Sequence, residues 1–80
     1  MAMVQSLRAL VDEMPEKAER ILLLAKDNPR FVKLVNTHHA LSREINRFEH
    51  SGDRSRLAEL EHLRKMRVIV RNKIDMFLMG

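Results

Sequence analysis

The sequence predicts an all-α protein: a long antiparallel helical hairpin with an additional N-terminal helical segment, assembling into a helical bundle. Three observations carry that expectation. Apolar residues recur at alternating three- and four-residue intervals in successive stretches, helix stop and start signals fall between those stretches, and no stretch shows the two-residue alternation of a strand.

The first long helix is the clearest element. Phe31, Leu34, Leu41, Ile45 and Phe48, with His38 filling the gap, follow a 3, 4, 3, 4, 3 spacing, which is a heptad seam. Asn28 is placed to cap it and Pro29 suits its first turn, where a missing N–H is no loss. It is expected over residues 29 to 50. The stop is "HSGD", where Gly52 can take the left-handed conformation and Asp53 or Ser55 can cap a second helix. So short a turn makes that helix an antiparallel neighbour, over residues 54 to 78.

The second helix carries a stripe of Leu57, Leu60, Leu63, Val70, Ile74 and Phe77, flanked by Met66. Arg67 interrupts it, with an alkyl stem able to lie along apolar surface. Val68, Ile69, Met76 and Leu78 fall off this line, so the helix has more apolar surface than one partner helix covers. Upstream, Val4, Leu7, Val11, Met14, Ala18, Ile21 and Ala25 keep a similar spacing across Pro15. A proline inside a helix costs about 3 kcal/mol, so two segments are expected, 3 to 13 and 15 to 26, kinked or separated. The maintained register favours a kinked pair lying in one groove, with the first segment the most mobile part.

Composition limits the function classes. A chain of 80 residues forms one small core, which supplies roughly 3 to 5 kcal/mol, so stabilisation by another chain is expected, most simply a homodimer. There is no cysteine, which removes disulfides and thiolate metal sites and suits the cytoplasm. The longest apolar run, "ILLLA", falls far short of the roughly 18 residues of a membrane span. No secretory signal is read at the N-terminus. No catalytic or cofactor site is assigned either: the glycines are Gly52 and Gly80, Ser6, Ser42 and Ser55 fall on helix surfaces or a cap, and Glu44, Glu49, Glu59 and Glu61 have bases nearby to pair with. The expectation is not an enzyme.

His38 is the one ambiguous seam residue. A neutral imidazole packs as a flat, mid-sized group when its nitrogens find partners, and this reading leads over a pH-sensitive contact or a metal ligand. With the turn centred near residue 52, His38 should lie opposite residue 66, beside Arg67. No metal site is assigned, because His38, His39, His50 and His62, with Glu44 and Glu61, lack the spacing of a structural zinc site.

Net charge is +4, with seven bases against four acids in residues 53 to 80. Arg64, Lys65, Arg67, Arg71 and Lys73 are therefore candidate phosphate contacts, Arg64, Arg67 and Arg71 lining one helix edge. Three phenylalanines without tyrosine or tryptophan argue against base stacking. Nucleic acid thus ranks below a protein partner of unknown identity. The candidate interaction seam is Phe31, Leu34, His38, Leu41, Ile45, Phe48, Leu60, Leu63, Val70, Ile74 and Phe77.

"DNPRF" opening a helix, then Leu34, His38, Leu41, Ile45 and Glu49, a short turn, Leu57 and Leu60, the basic run "RKMR" and Ile74 form a pattern over roughly residues 15 to 78 that resembles the YdcH-like family of small bacterial proteins of unknown function. The resemblance implies a long antiparallel hairpin that self-associates, and brings no activity. It departs at "RNKI", where Asn72 and Lys73 stand in place of the acids the family tends to have. Residues 1 to 14 precede the usual family start, so the expected organisation is an N-terminal helical extension, 1 to 14, and a single hairpin domain, 15 to 80.

Overall fold

The computed structural model describes residues 4–52 and 54–79. These form four α-helices, α1 (Gln5–Glu13), α2 (Ala18–Asp27), α3 (Pro29–Ser51) and α4 (Leu57–Met79), with 3-10 turns at Pro15–Lys17 and Arg54–Arg56. Helices α3 and α4 are the arms of the antiparallel hairpin. Phe31 and Phe77 meet edge to face at 5.8 Å where the arms open, and Glu49 meets Arg64 at 2.7 Å near the turn.

The helix signals act where the sequence places them. The Asn28 side chain accepts a hydrogen bond from the Phe31 N–H at 3.3 Å, Pro29 occupies the first turn, and Gly52 closes α3 with φ of 70°. Asp53, one of the two expected caps, lies outside the described residues. The connection is longer than expected, because Arg54–Arg56 form a 3-10 turn before α4 begins at Leu57. This moves the centre of the hairpin from residue 52 to about residues 54 to 56, as the pairs Phe31–Phe77 and Glu49–Arg64 require. His38 consequently lies level with the region of Arg71, one turn beyond the expected residue 66.

Pro15 separates α1 from α2 instead of kinking a single helix. Met14 leaves the helical region at φ −128° and ψ 68°, and Pro15 starts the 3-10 turn. The chain folds back, and α1 and α2 each pack on α3. Far from trailing free, α1 places Leu7 and Leu10 in the same core as Ile21, Phe31, Val35, Ile74 and Leu78. Its Ser6, expected on a helix surface, is buried and donates to Asn36 Oδ1.

Four burial assignments change, three of them through the neighbours of α3 and α4 and one through spacing. Val35 is buried and Leu34 only half-buried, because α3 is contacted on one side by α4 and on the other by α1 and α2. Leu78, expected off the stripe, is buried where α2 approaches the end of α4. Leu57 is 55% exposed: the 3, 3 spacing of Leu57, Leu60 and Leu63 drifts around the helix, so only the later members turn inward.

His38 is half-buried beneath α1, in a charged setting shared by Arg71, Glu13, Arg67 and Asp75. Arg71 donates to Glu13 Oε1 at 2.8 Å and to Asp75 Oδ1 at 3.2 Å, tying α1 to α4. Burial holds the imidazole below its ordinary range; Arg71 adds to this, Glu13 opposes it, Arg67 lowers it further and Asp75 raises it. In the neighbouring His39, Nε2 is buried with no hydrogen-bond partner among the described residues.

Phe31 is fully buried at the junction of the helices, and Phe31→Ala should cost about 3 to 5 kcal/mol, enough to abolish most folding of a core this small; urea titration by circular dichroism reads it. Because the folded chain disfavours protonated His38, the stability linked to it is complete above the ordinary imidazole pKa of about 6.5 and lost as pH falls below that value. The melting temperature should therefore drop between about pH 7 and pH 5, and His38→Gln should flatten that drop; identical pH slopes in the two proteins would assign it to other groups.

Candidate interaction face

Helices α1 and α2 cover one flank of the hairpin and leave the other open. Among the described residues their polar attachments include Ser6 to Asn36 on α3, Glu13 to Arg71 on α4, and Arg20 Nη2 to the Phe77 carbonyl at 3.3 Å. On the opposite side α3 presents Arg30, Leu34, Thr37, Leu41, Glu44 and Phe48, spaced 4, 3, 4, 3, 4. Helix α4 presents Glu59, Leu63, Met66, Val70, Lys73 and Phe77 with the same spacing. Helical residues at that spacing share a face, so the two arms form a continuous two-helix surface with apolar residues along its middle.

The two ends of this surface differ in charge. At the open end, Arg30, Lys33 and Lys73 surround a groove floored by Leu34 and Phe77, with Thr37 beside them. At the turn end, Glu44 and Glu59 flank Phe48 and Leu63, together with Arg56, Ala58 and His62. Arg56 is already engaged there: its guanidinium lies 4.4 Å from the centre of the Phe48 ring and 3.0 Å from Glu59 Oε2. Glu44 meets Arg47 only at 3.6 Å on the same helix.

The sequence-derived seam splits between two environments. Phe31, Ile45, Leu60 and Ile74 are buried between helices, whereas Leu34, His38, Leu41, Phe48, Leu63, Val70 and Phe77 are half-buried. All of this second group except His38 border the open face, and Leu34, Val70 and Phe77 among them also pack inward against the core. Apolar exposure continues outward from it on α4, with Met66 39%, Ile69 55% and Met76 72% exposed. These apolar side chains stand in solvent on and beside the open face.

The five basic candidates do not share one surface. Arg64, Arg67 and Arg71 lie along one edge of α4, as their spacing requires, but that edge is turned toward α3 and α1. Arg64 holds Glu49, Arg71 holds Glu13 and Asp75, and Arg67 is half-buried near His38. Lys65 and Lys73 are exposed and point elsewhere around the helix. The Glu49–Arg64 bridge joins residues 15 apart, so it needed the hairpin register, and no local spacing announces it. Among the described residues, no helix is long and apolar enough to cross a membrane.

No family model matches the chain, and no solved structure matches it. Curated relatives do: the uncharacterized protein YdcH of Escherichia coli strain K12 and that of Shigella flexneri are each 33% identical to it over 60 residues, covering 75% of this chain and 81% of the relative. With that identity spread over most of both chains, and with a long α3–α4 hairpin behind it, this protein belongs to the YdcH-like family.

Proposed function

We propose that this protein is a small helical interaction module, most simply a homodimer, that acts by presenting the open flank of its hairpin to another helical surface. The observation that supports this reading is the heptad spacing of both arms on a face that α1 and α2 leave uncovered. A heptad repeat on an exposed face is what a helix needs to receive the knobs of a partner, and two such hairpins form a four-helix arrangement. Met66 and Met76 add side chains that adapt to irregular contacts. The cysteine-free composition suits action in the cytoplasm.

A binding role also fits the acids better than catalysis does. Glu13, Glu49, Glu59 and Asp75 are held by arginines at 2.7 to 3.2 Å, which leaves them as structural anions in place of proton carriers. Phosphate contact through the basic edge is the weaker reading, because Arg64 and Arg71 would have to release these acids first.

Size-exclusion chromatography with light scattering, at low and high salt and with a nucleic-acid fragment, tests the reading. The expected species is a dimer that persists at high salt and ignores nucleic acid. Val70→Lys should shift it to monomer while helix content is retained. A wild-type monomer at high micromolar concentration defeats self-association, and co-migration with nucleic acid only at low salt moves the function to the arginine edge.

A further inference from the structure

The open flank carries more than an apolar stripe, because its charges are sorted by end. The groove between Leu34 and Phe77 is lined by three bases, Arg30, Lys33 and Lys73, and by no acid, whereas at the turn end Arg56 offsets Glu59 and leaves Glu44 as the acid of a groove that also holds His62. A surface that is basic at one end and acidic at the other is self-complementary under one two-fold operation only. The axis must lie in the plane of the face and across the helices, so that each copy is reversed with respect to the other. The alternative axis, along the helices, would put bases on bases.

The register can be read from the contacts within the hairpin. Phe31 is level with Phe77 and Glu49 with Arg64, which puts Leu41 level with Val70 near the middle of the face. Reversal about that level brings Lys73 on α4 of one copy level with Glu44 on α3 of the other, diagonally across the four-helix junction. The available area is sufficient. Residues 30 to 48 span ~27 Å at 1.5 Å per residue, and two adjacent helices are roughly 20 Å across. Two copies together then bury about 1,000 Å², the lower bound for a specific interface.

We infer that the partner of this face is a second copy of the chain, docked antiparallel so that α3 lies on α3 and α4 on α4, with Leu41 and Val70 near the two-fold axis and Lys73 and Glu44 paired diagonally across the junction. This rests on the interaction-module reading above and specifies its partner and geometry. It also gives the position of Lys73, in "RNKI", a use within the assembly.

Disulfide trapping suits this test because the chain has no cysteine of its own. In the full chain, Leu41→Cys and, separately, Val70→Cys should give a covalent dimer in near-quantitative yield on mild oxidation, since each pairs with itself at the axis. Glu59→Cys, roughly 30 Å from its symmetry mate at 1.5 Å per residue along the helix, should stay unlinked. Sedimentation equilibrium supplies the second readout. Lys73→Glu and Glu44→Lys should each weaken association by about tenfold at low salt, because two symmetric contacts become repulsive, and the double swap should return to within about twofold of the wild type. A wild-type dimer in which neither axis cysteine links, or in which the charge swap fails to rescue, overturns the antiparallel arrangement while leaving self-association intact. A monomeric wild type overturns both.

Discussion

Burial of Phe31 is the constraint on which the rest of the structure depends. Its ring is fully enclosed, packs edge to face on Phe77 with an interplanar angle of 71°, and belongs to one cluster with Leu7 and Leu10 of α1, Ile21 of α2, Val35 of α3, and Ile74 and Leu78 of α4. Every α-helix therefore contributes to a single apolar junction. Asn28 fixes the entry of the chain immediately before that ring, so the cap and the core act within one turn of each other. A chain this short gains most of its stability where its apolar groups are concentrated, and here that is the open end of the hairpin.

The turn end is organised differently. Ile45 and Leu60 are its buried apolar residues, and the arms are further joined by the exposed Glu49–Arg64 bridge and the Arg56 contact on Phe48. Exposed ion pairs contribute little, typically below about 1 kcal/mol, so this end relies on helix continuity more than on packing. The molecule is 42 Å in its longest dimension and 21 Å in its shortest, and its core occupies only part of that length. A partner laid along the open flank would supply the missing cover.

The placement of α1 and α2 is what gives the hairpin a front and a back. Their attachments through Ser6, Glu13 and Arg20 close one flank, protect Arg71 and half-bury His38. The opposite flank keeps its heptad residues accessible. His38, on α3, lies within the electrostatic reach of Glu13 on α1 and of Arg67, Arg71 and Asp75 on α4.

The local signals were legible in the sequence because they act within a few residues: Asn28 and Pro29 start α3, Gly52 ends it, Pro15 interrupts the N-terminal helices, and the 3, 4 spacing marks the seams. The all-α class, the antiparallel pairing and the membership of the YdcH-like family came from those same residues. The hairpin register did not, because a 3-10 turn at Arg54–Arg56 adds length that no pattern of single residues specifies. Nor did the burial of Val35, Ser6 and Leu78, which requires knowing that α1 and α2 fold back onto a particular flank. An apolar residue at heptad spacing reads the same whether it faces its own chain or another. Which half of the seam became core and which half stayed open was decided only by tertiary packing, since helical periodicity encodes a face and not what covers it.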